Sequence, residues 1–236
     1  MSLNEHAAET TNLTPLTPAA TLASLAVERA GASRVFHRHR LDFCCHGNVS
    51  LEAACAKRGL DVAELIAEIQ AEDAGPPARR WDEASTPDLV EHILHDFHEP
   101  HRAELTRLLG MARRVESVHE AKPSCPLGLA DVIAEVEQEM LAHMEKEEQV
   151  LFPLLLAGLH PIEPIRVMEQ EHLEHAKNLE RLRAHAHDYD PPADACGTWR
   201  ALYLGLAQLE RDLMEHIHLE NHVLFTRSPA GSPQPA

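Results

Sequence analysis

Two stretches of the chain place a histidine four residues before a glutamate, His143 with Glu147 and His216 with Glu220. "HMEKEEQVLFP" (143–153) and "HIHLENHVLFT" (216–226) share the pattern His-x-x-x-Glu-x-x-Val-Leu-Phe. Residues i and i+4 lie on one face of a helix, so each copy presents an imidazole nitrogen and a carboxylate oxygen in the same direction. A second pattern precedes each copy. "HEPHRAEL" (98–105) matches "HLEHAKNL" (172–179) as His-x-x-His-x-x-x-Leu. The chain therefore writes one helix pair twice. Each pair offers one histidine from its first helix and a His/Glu couple from its second.

The chemistry of that set is metal chemistry. An ionised carboxylate buried without a partner is prohibitively costly. Two of them among imidazoles in an apolar seam call for positive charge, and a pair of cations supplies it. The simplest arrangement is two metals bridged by Glu147 and Glu220, with His98, His143, His172 and His216 as terminal ligands. No cysteine falls in this layer, which disfavours structural zinc and iron–sulfur clusters. Mixed imidazole and carboxylate suits iron, with manganese and zinc as competitors. The alternative is a hydrogen-bonded His/Glu network that only fixes the core. Glu139, one turn before His143, and Glu171, next to His172, stand where they can orient imidazoles or relay protons, or face solvent. His101 and His175 are reserve ligands or core histidines. His92, His95, His119, His185, His187 and His222 read as surface residues.

Four long helices must carry these residues. The apolar pattern predicts helix A over about 87–120, B over about 129–157, C over about 165–187 and D over about 198–226. Stepping three and four residues along B puts Val132, Val136, Met140, His143, Glu147, Val150 and Leu154 inside. Pro100 lies within A and predicts a kink beside the polar layer. Short connections make an antiparallel four-helix bundle the default. The fold class is all-α: a small N-terminal helical domain followed by an antiparallel four-helix bundle. The expected organisation is a disordered start (1–15), an N-terminal double-Cys helical domain (16–73), a Gly/Pro-containing linker (74–85), the bundle (86–227) and a disordered tail (228–236). In the N-terminal domain Ser50 and Asp61 suit helix caps, and Gly31 and Gly59 suit helix ends.

The totals agree. Among 236 residues, 44% are hydrophobic and only 4% aromatic, and the 18 histidines are the outlier. A formal net charge of −17 gives no basic patch for nucleic acid. No apolar run is long enough to span a bilayer, and the start lacks a secretory pattern. Cys44, Cys45, Cys55, Cys125 and Cys196 are an odd, unevenly spaced set, unlike a disulfide framework.

With "FHRHRLDFCCHGNVSLEAAC" (36–55) in front of it, the four-helix pattern resembles hemerythrin-like di-iron domains, and the whole chain resembles the repair-of-iron-centres family. The family signature is Asp-Phe/Tyr-Cys-Cys-Gly-Gly; here it reads "DFCCHG", so His46 replaces the first glycine. Carried over by position, the family's iron ligands fall on His98, His143, Glu147, His172, His216 and Glu220, the six that spacing selected. Oxygen-carrying hemerythrins place two histidines four apart on helix C, where Met168 and Ala176 stand around His172 here. The resemblance implies two iron ions with oxo and carboxylate bridges. It implies a part in nitrosative and oxidative stress, repairing damaged iron–sulfur clusters by iron donation or by redox chemistry on nitric oxide and related nitrogen oxides. A non-haem di-iron oxidoreductase is one form of that activity. Cys44 and Cys45 then stand for redox change or for transfer of iron or nitric oxide, against two ordinary thiols in a turn. His46 beside them can lower a thiol pKa or add a ligand. The implied partners are damaged iron–sulfur proteins and small nitrogen or oxygen ligands, with no nucleic acid and no membrane, in a cytoplasmic monomer or homodimer. The alternative is a hemerythrin-like protein that binds, scavenges or senses nitric oxide or oxygen without repair. A ferritin-like iron oxidase uses Glu-x-x-His, not the His-x-x-x-Glu found here.

Overall fold

The computed structural model describes residues 14–73 and 79–227. The stretches 1–13 and 228–236, where disorder was expected, and 74–78 of the expected linker lie outside the described residues. Among the described residues every element is a helix, apart from one antiparallel bridge between Thr21 and Ser50.

The N-terminal unit contains α1 (Leu22–Glu28), α2 (Ala30–Arg38), α3 (Leu51–Arg58) and α4 (Val62–Asp73). Thr21 and Ser50 cap α1 and α3 through their hydroxyls, and Asp61 accepts from the Ala63 and Glu64 amides at the start of α4. Gly59 ends α3 in the left-handed region, as the sequence suggested. Gly31 does not end a helix. It lies in the first turn of α2, where a Cβ would meet the Glu72 Cβ at 2.5 Å. Glycine is used there for close approach of α2 to α4, so the chain breaks two residues earlier, at Arg29. Leu22, Leu25, Phe36, Phe43, Leu51, Leu65 and Ile69 fill this unit's core. Backbone bonds from Leu22 to Val49 (3.1 Å) and from Ala23 to Gly47 (2.8 Å) pin the 42–50 loop to the start of α1.

The bundle has four antiparallel rods. Rod A is α5 (Thr86–Ile93), a π turn π1 (Leu94–His98) and α6 (Glu99–His119). Rod B is α7 (Leu129–Lys146), π2 (Glu147–Leu151) and α8 (Phe152–Leu156). Rod C is α9 (Ile162–His185), and rod D is α10 (Gly197–Leu219) ending in π3 (Glu220–Leu224). Pro100 produces no free-standing kink. A proline lacks its N–H and presses on the carbonyl four residues back. The wider π turn just before Pro100 absorbs that crowding, and π2 does the same before Pro153. Each π turn inserts one residue into the helical register. The effect shows on rod B, where a regular period put Val150 and Leu154 inside. Val150 is 51% exposed, and Leu151, Phe152 and Leu155 are buried instead.

The polar layer divides the bundle core in two. An outer apolar cluster holds Ile93, Phe97, Phe152, Ile165, Leu224 and Phe225. An inner one holds Leu105, Met140, Leu179, Leu209 and Leu213, and Cys44 of the N-terminal unit joins it. The two units therefore touch. Phe43 packs edge-on against His218 at 5.3 Å, and Arg40 pairs with Asp188 at 2.8 Å. The described part of the linker is also packed: Trp81 stacks on His92 at 3.9 Å, and Arg227 donates to the Trp81 carbonyl. His92 and His222 are accordingly half-buried rather than surface residues.

Gly47 tests how tightly the loop is seated. A Cβ there would collide with the Phe43 carbonyl and come within 2.9 Å of His222 Nε2. Gly47→Ala is expected to cost about 1–3 kcal/mol, as overpacking does. Gly110→Ala, on the exposed face of α6 with nothing within 4 Å, should gain about 1 kcal/mol. Thermal or denaturant melts of the two variants check the contrast; equal melts would show that the loop is not seated as described.

Candidate metal centre

Rods A to D bring His98, His143, Glu147, His172, His216 and Glu220 into one layer, each no more than 1% exposed. The ligand atoms form two sets that share both carboxylates: His98, Glu147, His216 and Glu220, and His143, Glu147, His172 and Glu220. Within the sets the Nε2 atoms of His98 and His216 are 3.2 Å apart, and those of His143 and His172 are 3.1 Å apart. Glu147 Oε2 lies 3.4 Å from both His98 Nε2 and His143 Nε2. Glu220 turns Oε1 to His216 and Oε2 to His172, each at 3.1 Å. Each carboxylate thus spans both sets.

The hydrogen bonds behind the imidazoles decide what the layer lacks. His98 Nδ1 donates to Glu148 Oε1 at 2.8 Å, and Arg102 donates to the same oxygen. His143 Nδ1 donates to Glu171 Oε2 at 2.9 Å. His172 Nδ1 donates to Asn221 Oδ1 at 2.8 Å. These partners only accept, so in the neutral imidazoles the inward Nε2 atoms carry lone pairs. Acceptor then faces acceptor between His143 and His172, and both oxygens of Glu147 and Glu220 are buried without a hydrogen-bond donor. Burial and the nearby Glu220 push the Glu147 carboxyl well above its usual range. Burial also opposes charge on Glu220, but His216 and His172 outweigh it and hold that carboxyl low. Positive charge between the groups relieves the arrangement. A tetrahedral cation with bonds of about 2.1 Å has ligand–ligand edges of about 3.4 Å, close to the observed separations. The donor set fits a pair of metal ions, and its nitrogen and oxygen composition suits iron.

Two of the supporting residues follow a rule that the repeat could have revealed. Glu148 comes after Glu147 and Asn221 after Glu220, and each supports the histidine of the preceding rod. Glu171, the residue before His172, supports His143, as its position suggested. Its counterpart before His98 is Phe97, which cannot accept a proton. His216 Nδ1 therefore has no partner among the described residues, and the Phe97 ring stacks on His216 at 5.3 Å. The His143 hydrogen bond outweighs burial and, with Lys146, lowers Glu171 to about 2. Glu139 has a different partner: it accepts from Asn178 Nδ2 at 2.6 Å.

His101 and His175 are buried beside the layer. Burial, then the neighbouring His143 and His172, hold His175 down to about 2; burial and His216 hold His101 well below its usual value. The double-Cys loop lies against rods C and D. Cys45 Sγ is 3.6 Å from the His172 carbonyl, and Asn221 Nδ2 donates to the Cys44 carbonyl at 3.0 Å. Asn221 thus joins the Cys44 carbonyl to the His172 imidazole through one side chain. Asp42 Oδ1 accepts from the Cys45 amide, and Asp42 Oδ2 pairs with His46 Nδ1 at 2.6 Å. The adjacent Cys45 thiol and burial push Cys44 well above the usual thiol range, while Cys45 is the more exposed of the two. His46 points to solvent rather than to the layer.

Two family models match the chain. Residues 18–73 match a family described as a domain of unknown function, and residues 89–228 match the hemerythrin HHE cation-binding domain. The iron-sulfur cluster repair protein YtfE of Musicola paradisiaca is 43% identical over 213 residues, covering 89% of this chain and 96% of that protein. The Escherichia coli protein of the same name is 40% identical, with the same coverage. A probable iron-sulfur cluster repair protein of Haemophilus influenzae is 39% identical, covering 87% of this chain and 95% of its own. Among the described residues, no helix is long and apolar enough to cross a membrane.

The facing carboxylates make stability depend on the cation. Chelation is expected to lower the melting temperature and ferrous iron to restore it, by about 2.7 kcal/mol at a hundredfold excess over the dissociation constant. Glu147→Gln removes one of the opposed charges. It should raise the melting temperature of the metal-free protein and lower its bound iron. Calorimetry with iron analysis checks both; an unchanged melt on chelation would leave the layer as an inert network.

Proposed function

The chain belongs to the YtfE family of iron–sulfur cluster repair proteins, and on that premise we propose that it restores damaged clusters with two irons held by His98, His143, Glu147, His172, His216 and Glu220. When bound, the iron pair supplies a redox-active, exchangeable metal with positions open to small ligands. The chain's own groups set the conditions. Glu147 and Glu220, each facing histidines of both sets, would balance part of the cation charge. Glu148, Glu171 and Asn221 fix three imidazoles with Nε2 inward. Phe97, Phe152 and Phe225 keep water from the outer side of the layer. The damage repaired is that done by nitric oxide or peroxide, and the targets are cytoplasmic enzymes with solvent-accessible clusters. Five unpaired thiols suit such a reducing compartment.

The observation that carries repair over simple ligand binding is the path from His172 through Asn221 to the Cys44 carbonyl, with Cys45 Sγ beside the His172 carbonyl. A scavenger or sensor has no need of a thiol pair seated on the wall of its metal centre. In the repair reading Cys45, the more exposed thiol, meets what leaves or enters the centre, and Cys44 and Asp42 shape the turn that presents it.

The test damages an aconitase-type dehydratase with nitric oxide, then adds the iron-loaded protein with a reductant and follows recovered activity. Wild type is expected to restore it. His216→Ala fails because it loses iron. Cys44→Ala/Cys45→Ala keeps two irons but restores poorly, and Asn221→Ala slows recovery or weakens iron binding by about tenfold. A cysteine variant as active as wild type would remove the loop from the mechanism. A wild type that binds nitric oxide and restores nothing would replace repair by scavenging.

A further inference from the structure

The two sides of the polar layer differ in kind. On the outer side, Phe97 stacks on His216, Phe152 lies 5.6 Å from His98, and Phe225 lies 6.0 Å from His172. Those rings offer no hydrogen bond to a polar ligand. The inner side carries His101 and His175, three residues beyond His98 and His172 in the matched patterns. They are 2% and 3% exposed. The His101 ring is 5.4 Å from His216, and the His175 ring is 4.7 Å from His143. Further inward the bundle is apolar, with Leu105, Met140, Leu179 and Leu213.

His101 Nε2 and both nitrogens of His175 have no hydrogen-bond partner among the described residues. A buried imidazole in apolar surroundings carries a desolvation cost that a partner must offset. Here the cost falls twice, at equivalent positions of the repeat and on the same side of the layer. Neither residue belongs to the two sets whose ligand atoms lie within 4.8 Å of one another. They stand next to the metal positions without completing either set.

We propose that His101 and His175 form the hydrogen-bonding wall of a binding site for a small anion on the inner side of the metal pair, each donating an imidazole N–H to it. The inference rests on the iron pair proposed above. Two divalent cations against two carboxylates leave net positive charge in a dry seam, which favours an anion there. Each imidazole has one donor to give, and the pseudo-twofold placement presents one donor from each helix pair. The outer side has no donor to compete, so the ligand's position is set by these two side chains. Anions with lone pairs at both ends, of the size of azide or nitrite, suit two donors facing one metal pair.

Azide is the probe, titrated into the full-length di-ferric protein and followed by its ligand-to-iron absorption band. His101→Leu and His175→Leu remove the donors while keeping apolar volume in an apolar site. Each is expected to keep two irons per chain and to weaken azide about tenfold, equivalent to about 1.4 kcal/mol. His101→Gln and His175→Gln, which retain an N–H donor, should recover part of the affinity. Leucine variants that bind azide within twofold of wild type would overturn the proposal, as would a wild type that binds no azide. Loss of one iron from either leucine variant would also overturn it, because the residue is then a ligand rather than a wall. Wild type purified with no iron under iron-rich expression would instead defeat the di-iron reading itself. Melting curves separate these outcomes from misfolding, since a leucine at either place should raise rather than lower the stability of the metal-free bundle.

Discussion

The opposition of Glu147 and Glu220 is the constraint on which the rest depends. Both carboxylates are fully buried, and neither has a hydrogen-bond donor among the described residues. In a low-dielectric seam two such charges repel strongly. Hydrogen bonds behind the imidazoles make matters worse, because they fix lone pairs inward toward the same space. A core built for stability alone would place apolar side chains there. The layer makes sense as a site that is incomplete until a cation pair enters it. Its six residues, their partners and the apolar clusters on either side serve that end.

Holding the six groups at these separations requires departures from regular helix. Three of the four rods pass through a π turn at the layer. His98 is the last residue of π1, Glu147 the first of π2 and Glu220 the first of π3. The extra residue in each turn lets a ligand-bearing segment shift its register without displacing the whole rod. Rod C carries His172 on unbroken helix, and it is also the rod against which the Cys45 thiol rests. The N-terminal unit thus meets the regular helix of rod C through Cys45 and the π turn of rod D through Asn221.

The six-residue layer is readable because it is written twice. Types and spacing on helices are enough to gather four histidines and two glutamates on one face. The rod boundaries followed from the Gly/Pro breaks for the same reason. The misplacements have local causes. A 3.6-residue period puts Val150 and Leu154 inside because it carries no sign of a π turn, and Gly31 reads as a helix end because a glycine that admits a neighbouring helix looks the same in one dimension. Glu148 and Asn221 do not stand out beside Glu147 and Glu220. Their roles depend on which rod packs next, and that is a tertiary fact. Glu139 stands at a suitable spacing on its own helix, yet its carboxylate turns to Asn178.

Phe97 marks where the duplication stops being symmetric. Glu171 accepts from His143, but the matched position before His98 holds an aromatic ring, and His216 is left with one unanswered nitrogen. The two His/Glu sets consequently differ. One is bounded by His143 and His172, both fixed from behind, by a carboxylate and by the Asn221 amide that also holds the double-Cys loop. The other is bounded by His98, fixed by Glu148, and by His216, held by stacking rather than by a proton acceptor. An imidazole whose Nδ1–H meets a carboxylate is both better oriented and more electron-rich at Nε2. The set next to the thiols therefore has the firmer imidazoles, and the set under Phe97 the looser ones. Two helix pairs with matched spacing thus yield two unequal sets, and the inequality follows from one side chain that cannot accept a hydrogen bond.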